Sequence, residues 1–442
     1  MNSVRTTIYA AGIALGLLAT SPLALAQQDY KPTKENLQAR EAFRDKGFGI
    51  FLHWGLYSTF AQGEWYMTNA NIDHAEYAKA AAGFYPSRFD AATWVSAIKA
   101  SGAGYLTITS RHHDSFSMWD TKQSDYNIVK ATPFRRDILA ELRDECHKQG
   151  LGFHIYYSIL DWHREDYYPI GRTGRGTGRK SHGSWDTYDA FMNAQLAELV
   201  RDYGAEAIWL DGEWDQDENP GFDWRYDKMY ANIHKINPAC LIGNNHHSTP
   251  HQGEDFQMFE RDVPGANTAG LSGQDISKLP LETCQTMNGM WGYKIIDQNY
   301  KSDTTLIRLL VQTAGRNANL LLNIGPEPSG ALPALALDRL AKIGSWMKVY
   351  GKTVKDGVRE GLLPPLEWGV TTQRGKTLYL HILDWKSRML SLPLTDRVQR
   401  VVSFDTQRPI PYTQTKAGLT LTFDKAPHEL NAIDYIVEVT LK

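Results

Sequence analysis

The sequence predicts an α/β fold, a (β/α)8 barrel of the TIM type with a C-terminal antiparallel β-sandwich domain. Between about residues 48 and 350, eight short apolar runs alternate with helical patterns, which is typical of a parallel sheet. Eight strands in about 300 residues fit the usual size of such a barrel. No G-x-G-x-x-G turn follows the first run, which disfavours the alternative, a doubly wound open sheet. After Gly351 the helical periodicity stops and short alternating stretches follow.

Local signals justify the elements in order along the chain. Helices are expected from Asp90 to Gly102, from Asp137 to Gly150 and over residues 188–203, because capping residues precede apolar positions of helical spacing. In the sandwich, strands are expected at 377–385, 398–404, 419–423 and 435–441. The expected barrel strands are 48–54, 104–110, 151–158, 205–211, 240–245, 255–260, about 282–287 and 319–324.

Composition excludes several classes of protein. The 442 residues carry 47 Lys and Arg against 50 Asp and Glu, a formal charge of −3, so neither nucleic acid nor an anionic membrane surface is an expected partner. The three cysteines, Cys146, Cys240 and Cys284, permit at most one disulfide. They also lack the paired spacing of a metal site.

The first residues are typical of a secretory signal peptide. Arg5 supplies a positive start, residues 8–18 are apolar or small, and Ala24-Leu25-Ala26 is a small-x-small site with cleavage expected after Ala26. An N-terminal membrane anchor is the alternative. The predicted organisation is therefore a signal peptide (1–26), a catalytic barrel (27–355) and a β-sandwich (356–442). The mature protein is expected to be exported, to the periplasm or outside the cell, without a membrane association.

Polar and aromatic residues concentrate where the barrel strands end. In such barrels the functional residues lie at the C-terminal ends of the strands. Asp211 follows the apolar run 207–210 directly, so rigid backbone holds it, as a nucleophile requires; capping the next helix is its alternative role. Aromatic rings with many hydrogen-bonding groups suit a sugar, and two carboxyl groups suit glycoside hydrolysis.

Two other patterns were weighed. The neighbouring histidines at 112–113 and 246–247 could suggest a metal, but adjacent strand residues point to opposite faces, so no metal site is expected. The glycine-rich segment 171–178 is interpreted as a mobile loop rather than a phosphate cradle. Its cations, Arg172, Arg175, Arg179 and Lys180, could meet acidic or sulfated glycans, or could simply be solvated.

Several motifs then resemble those of one enzyme family. They are Gly49-Ile50-Phe51-x-His53-Trp54-Gly55, Glu64-Trp65-Tyr66, His112-His113-Asp114-x-Phe116, Ile208-Trp209-Leu210-Asp211-Gly212, Glu282-x-Cys284, Trp291-Gly292-Tyr293 and Leu321-Leu322-Asn323-Ile324-Gly325-Pro326. In this order they resemble the α-L-fucosidases of glycoside hydrolase family 29. Trp368-Gly369-Val370 and residues 378–381 resemble the β-sandwich of that family, so the resemblance covers nearly all of the mature chain.

The resemblance implies a retaining exo-glycosidase that removes terminal α-L-fucose from glycans and needs no cofactor. It implies Asp211 as nucleophile and Glu282 as acid/base. Leu281 stands where the family usually has tryptophan, so Glu260 is the alternative acid/base. Another retaining glycosidase, or an inactive sugar-binding protein, would fit the same barrel. Residues matching those that hold the fucose ring are His53, Glu64, Trp65, His112, His113, Tyr157, Trp209, Arg261 and Trp291.

Overall fold

The computed structural model describes residues 30–180 and 182–442. The predicted signal peptide, residues 1–26, lies outside the described residues, so its cleavage stays a prediction. Within the described ranges, no helix is both long enough and apolar enough to cross a bilayer.

Eight parallel strands form one sheet that curves into a nearly closed barrel. They are β1 (Phe48–Leu52), β2 (Tyr105–Arg111), β3 (Gly152–Ser158), β4 (Ala207–Asp211), β5 (Leu241–Asn245), β6 (Gln257–Glu260), β7 (Leu281–Thr286) and β8 (Ala318–Ile324). Their hydrogen-bonded order is β5-β4-β3-β2-β1-β8-β7-β6. Each begins and ends within two residues of its predicted bounds. The predicted fold class is therefore confirmed.

Helices and short 3₁₀ segments connect the strands, and side-chain caps fix where several begin. Asp90 and Asp137 accept hydrogen bonds from the first turns of the helices that follow them, as expected. The third predicted helix begins three residues early, because Ser184 caps it. The helices are α1 (Lys34–Lys46), α2 (Tyr66–Asn69), α3 (His74–Ala78), α4 (Ala91–Ala100), α5 (Ile138–Gln149), α6 (Trp185–Arg201), α7 (Tyr226–Ile236), α8 (Asp303–Ala314) and α9 (Ala334–Tyr350).

Two antiparallel sheets follow the barrel. The strands are β9 (Arg359–Glu360), β10 (Gly369–Arg374), β11 (Thr377–Ile382), β12 (Met389–Leu392), β13 (Val398–Ser403), β14 (Tyr412–Thr415), β15 (Gly418–Thr422) and β16 (Tyr435–Leu441). One sheet has the order β13-β16-β11-β10-β9 and the other β12-β15-β14. Leu380 and Val439 of the first sheet and Leu390 and Leu421 of the second share one apolar core. Sequence analysis missed β9, β10, β12 and β14. β9, β12 and β14 have only two to four residues, and β10 consists mostly of polar residues, which gives little hydrophobic alternation to detect.

The sheets pack directly on the barrel. Val370 of β10 belongs to the main core of the barrel, next to Gly315 at the end of α8. Arg359 of β9 forms an ion pair with Asp45 of α1, at 2.8 Å. The Arg308 guanidinium of α8 donates to the carbonyl of Ile433, at 2.8 Å. Apolar packing and polar contacts therefore join the two parts.

The glycine-rich segment between β3 and α6 is anchored more firmly than its composition suggests. Asp215 is fully buried, and its carboxylate accepts hydrogen bonds from the Thr173 backbone amide and hydroxyl, at 2.8 and 2.5 Å, and from the Tyr167 hydroxyl, at 2.9 Å. The Asp215 carbonyl accepts from the Arg172 amide, at 2.7 Å. One buried carboxylate thus fixes the segment that glycine content marked as mobile.

Candidate functional site

A cavity of about 200 Å³ opens at the C-terminal end of the barrel. Asp211, Asn245 and Glu260 are the last residues of β4, β5 and β6, so adjacent strand ends deliver them to one wall. The volume lies below the range of roughly 300–1,000 Å³ for drug-sized ligands, so it suits one small ring. The lining consists of Phe51, His53, Trp65, His112, His113, Tyr156, Arg172, Trp209, Asp211, Trp214, Asn245, His247, Glu260, Leu271 and Trp291.

Asp211 is held from three sides. The Tyr156 hydroxyl donates to Oδ2 at 2.8 Å, and the Trp214 indole donates to Oδ1 at 3.3 Å. The His113 Nε2 lies 3.6 Å from Oδ2. Burial, and next to it the negative charge of Glu260, raise the pKa of Asp211 to about 6. The carboxylate is therefore ionised at neutral pH and fixed in one orientation.

Glu260 is tied to Asp211 through a shared partner. The Asn245 amide nitrogen donates to Glu260 Oε2 at 2.9 Å and contacts Asp211 Oδ1 at 3.4 Å. These two oxygens therefore lie within the sum of those distances, about 6.3 Å. His247 Nε2 lies 3.0 Å from Glu260 Oε2. Burial opposes ionisation of Glu260, but the hydrogen bond and charge of His247 outweigh it and hold the pKa of Glu260 below its ordinary value.

Glu282 does not line this cavity. It is the second residue of β7 and only 1% exposed. Its oxygens accept from the Tyr105 hydroxyl, at 2.5 Å, and from the Trp209 indole, at 2.9 Å. Trp209 itself lines the cavity, so its ring separates Glu282 from that space. Burial raises the pKa of Glu282 to about 7. The structure thus places the predicted acid/base inside the barrel, and the alternative, Glu260, on the cavity wall.

Three other residues matched by resemblance also lie outside the lining. Tyr157 points away from the barrel interior, its hydroxyl donating to Gln195 of α6 at 2.8 Å; the preceding residue, Tyr156, faces the cavity instead. Glu64 accepts from the Gly292 amide at 2.7 Å, behind the wall. Arg261 lies with its guanidinium 5.1 Å from the centre of the Trp291 ring. The remaining six, His53, Trp65, His112, His113, Trp209 and Trp291, all line the cavity.

Three histidines of the wall, His53, His112 and His113, are neutral. Burial lowers the pKa of His53 to about 3, and it lowers the pKa values of His112 and His113 well below the ordinary range. His53 donates from Nδ1 to the Asn323 carbonyl oxygen at 2.6 Å, which leaves Nε2 as an acceptor. The wall therefore offers uncharged hydrogen-bonding groups among aromatic rings, which suits hydroxyl groups on an apolar ring.

Several residues that line the cavity were not predicted from the sequence, each for its own reason. Tyr156 was missed because adjacent residues of a strand point to opposite faces of the sheet. The resemblance indicated Tyr157, one position later, whose side chain faces away from the cavity. Asn245 ends a predicted strand and His247 lies just after it, at a strand end where functional residues are expected, but neither matched a fucose-binding residue of the family. Arg172 was seen only as one of several cations in a loop. For Phe51 and Leu271, sequence offered no signal distinct from that of core residues.

One histidine–carboxylate cluster beside the cavity could offer metal-binding atoms. Glu213, His246 and His251 have possible ligand atoms within 4.8 Å of one another. However, His246 Nε2 already faces Glu254 at 3.0 Å, and its Nδ1 accepts from the Ser248 amide at 3.1 Å. Glu213 pairs with His251 at 3.0 Å. Hydrogen bonding within the protein therefore accounts for these groups.

Comparisons with known proteins agree with this geometry. The α-L-fucosidase family model matches residues 17–352. An α-L-fucosidase of Branchiostoma floridae is 26% identical over 460 residues, covering 93% of this chain and 96% of its own. The structure of α-L-fucosidase isoenzyme 1 from Paenibacillus thiaminolyticus is 30% identical, with a TM-score of 0.81, over 92% of this chain and 100% of the other.

A further structure shares the fold at lower identity. It is a Bacteroides thetaiotaomicron α-L-fucosidase, trapped as a covalent intermediate with 2-fluoro-fucosyl fluoride; it is 24% identical, with a TM-score of 0.77, over 92% of this chain and 96% of its own. The family match spans well over half of the sequence, and the solved relative covers nearly all of it. This chain belongs to the α-L-fucosidase family of glycoside hydrolases.

Proposed function

We propose that this α-L-fucosidase removes terminal α-L-fucose by a retaining mechanism in which Asp211 is the nucleophile and Glu260 is the acid/base. This assignment replaces Glu282, which the resemblance favoured, with the alternative. Family membership supports the hydrolysis of an α-L-fucoside. The cavity, sized for one ring and closed by aromatic side chains, supports an exo-acting enzyme.

The spacing of the two carboxylates is compatible with a retaining mechanism. An inverting enzyme holds its carboxyl groups roughly 6.5–9.5 Å apart to admit a water, whereas a retaining enzyme holds them about 5–5.5 Å apart. The shared Asn245 nitrogen, at 3.4 Å from Asp211 Oδ1 and 2.9 Å from Glu260 Oε2, limits the separation of these two oxygens to about 6.3 Å. The α-L-fucosidase trapped as a covalent intermediate, which shares this fold, supports direct attack by Asp211.

Each step follows from the positions of these groups. Asp211 Oδ attacks the anomeric carbon, and the bond to the leaving oxygen breaks as Glu260 gives that oxygen a proton. The pKa of His247 is raised and that of Glu260 is lowered, so in the free site the proton lies on His247, 3.0 Å from Glu260 Oε2. It reaches the leaving oxygen through Glu260, the partner linked to the nucleophile by Asn245. Glu260 then takes a proton from water, which attacks the ester and releases fucose and Asp211.

The residues before the described chain support export. The positive start, apolar run and small-residue site of residues 1–26 support a cleaved signal peptide and a periplasmic or secreted enzyme. Mass spectrometry of the protein recovered from the native host would give the mature N-terminus, expected at residue 27. An intact N-terminus on a membrane-bound protein would favour an anchor.

The decisive experiment separates Glu260 from Glu282. Glu260→Ala should slow natural fucosides about 10²–10⁴-fold, because their poor leaving groups need a proton, while an activated aryl fucoside suffers less. Azide should restore turnover of the activated substrate and give a fucosyl azide of retained configuration. The matched control, Glu282→Gln, should keep activity on both substrates and ignore azide.

Two outcomes would overturn the assignment. If azide rescues a Glu282 variant and not Glu260→Ala, the acid/base is Glu282. If a fluorinated fucosyl donor labels a residue other than Asp211, as peptide mapping would show, the assignment of the nucleophile is wrong.

The fucosidase activity itself is tested on the wild type. If wild-type protein binds aryl fucoside without releasing fucose, it is an inactive sugar-binding protein; release of a different sugar would indicate another glycosidase.

A further inference from the structure

Arg172 lies at the mouth of the cavity, on the anchored segment between β3 and α6. Its guanidinium carbon lies 5.0 Å from the centre of the Trp214 ring, and both residues line the cavity. Trp214 in turn bonds Asp211. The backbone amide of Arg172 is fixed by the Asp215 carbonyl, at 2.7 Å. The cation is therefore placed beside the reacting groups by rigid contacts.

The donors of Arg172 are weakly engaged within the protein. Its ion pair is with Asp217, at 3.6 Å, and the two side chains are 45% and 59% exposed. Exposed pairs of this kind contribute about 0–1 kcal/mol. The contact with the Trp214 indole is a cation–π contact, which uses none of the guanidinium N–H donors in a hydrogen bond.

The other arginines of the segment are committed elsewhere. Arg175 pairs with Glu218 and also donates to the Gly171 carbonyl, at 2.9 Å. Arg179 is buried and donates to the carbonyls of Tyr167 and Arg164, at 2.8 and 3.2 Å. Neither lines the cavity. Among these three arginines, Arg172 therefore has both the position and the uncommitted donors for a ligand.

Arg172 lines the same cavity as His247 and Glu260. His247 holds Glu260, the proposed proton donor to the leaving oxygen, at 3.0 Å. Because the acid must contact that oxygen, the sugar that carries the fucose has to lie next to Glu260, in a space whose wall includes the Arg172 guanidinium.

We propose that Arg172 binds an anionic substituent, a carboxylate or a sulfate ester, on the sugar that carries the fucose. A guanidinium presents a planar fork of N–H donors that matches two oxygens of either group. The stacked indole orients this fork without neutralising it. The inference rests on the proposed fucosidase activity and names acidic fucosylated glycans as the preferred substrates.

The test compares three fucosyl disaccharides that share one linkage: a neutral one, one sulfated on the second sugar and one with a uronic acid there. We expect the wild type to have a kcat/KM about tenfold higher on the anionic pair, as one charged hydrogen bond contributes. R172Q should remove this preference, so that kcat/KM falls about tenfold more on the anionic disaccharides than on the neutral one. R175Q, the matched control, should keep the preference.

The outcomes distinguish the inference from the function beneath it. If R172Q loses the preference for only one of the two anionic disaccharides, the anionic group of that disaccharide is the ligand. Equal kcat/KM on all three substrates in the wild type, or an R172Q loss of the same fold on all three, overturns the inference and leaves the fucosidase activity standing. No fucose from any of the three, or from aryl fucoside, would instead overturn the proposed function. Circular dichroism confirms that each variant is folded.

Discussion

Glu260 and Glu282 lie on adjacent strands, yet their surroundings give them opposite proton affinities. Glu282 is sealed in the barrel beneath Trp209, and burial raises its pKa to about 7. Burial also raises the pKa of Glu260, but the hydrogen bond and charge of His247 more than offset this, so the pKa of Glu260 lies below its ordinary value. A raised pKa is a common sign of a general acid, but it means this only where the group reaches the substrate. Access to the cavity, rather than the pKa, therefore distinguishes the two.

Replacing Glu282 with glutamine should stabilise the protein in a pH-dependent way. The pKa of Glu282 is about 7 in the folded protein against an ordinary 4.5, so the wild type loses stability as pH rises through that window. Glutamine stays neutral, accepting from Trp209 and donating to the Tyr105 hydroxyl. The gain over wild type should therefore grow between pH 4.5 and 7, to at most about 3 kcal/mol. Thermal unfolding across pH measures it, and a constant difference would contradict it.

At the scale of elements, a single buried side chain determines the shape of the long segment after β3. Apart from residue 181, which the structure does not describe, the segment between Ser158 and Trp185 lacks regular secondary structure, and its glycines alone would leave it free to move. The Asp215 carboxylate accepts hydrogen bonds from both Thr173 and Tyr167 of this segment. The position of Arg172 over the cavity thus depends on a residue more than forty positions later in the chain.

Asp215→Ala should release this segment. The lost hydrogen bonds, at about 1–3 kcal/mol for a buried unpaired group, should raise the rate of tryptic cleavage at Arg172 and Arg175 roughly 10–100-fold. Mass spectrometry of a limited digest locates the cuts. Asp217→Ala is the control, because Asp217 is exposed and pairs with Arg172 without holding the backbone. Equal cleavage of both variants would show that the anchor lies elsewhere.

At the scale of the whole molecule, the barrel and the sheets after it share a core. Val370 of β10 packs beside Gly315, where a side chain would have no room: a Cβ at Gly315 would lie 2.4 Å from the Val370 Cβ. Close backbone approach at this glycine thus lets the sandwich rest on α8. The sandwich contributes no residue to the cavity lining, so its contribution here is to stability.

Gly315→Ala should therefore destabilise the molecule by about 1–3 kcal/mol, the usual cost of overpacking. A lower unfolding temperature with unchanged kcat/KM on aryl fucoside is the expected result. Gly83→Ala is a matched control, because its added Cβ would meet nothing within 4 Å. A Gly315→Ala variant as stable as the control would show that the two parts can shift apart freely. Deleting the chain beyond residue 355 should lower the folding yield further, by exposing apolar barrel surface.

The sequence by itself determined the barrel, the strand bounds to within two residues, the presence of a β-sandwich and Asp211 at a strand end. These follow from apolar runs, caps and turns, which are local in the chain. Only the tertiary structure shows that Glu260 and Tyr156, rather than Glu282 and Tyr157, line the cavity. A side chain reaches the cavity only if it points to the inner face of its strand and lies near the C-terminal end of the barrel. Both conditions depend on the register of the eight strands against one another. Asn245 and His247 line the cavity because the barrel closes beside them. Arg172 lines it because Asp215, distant in the sequence, anchors its segment there.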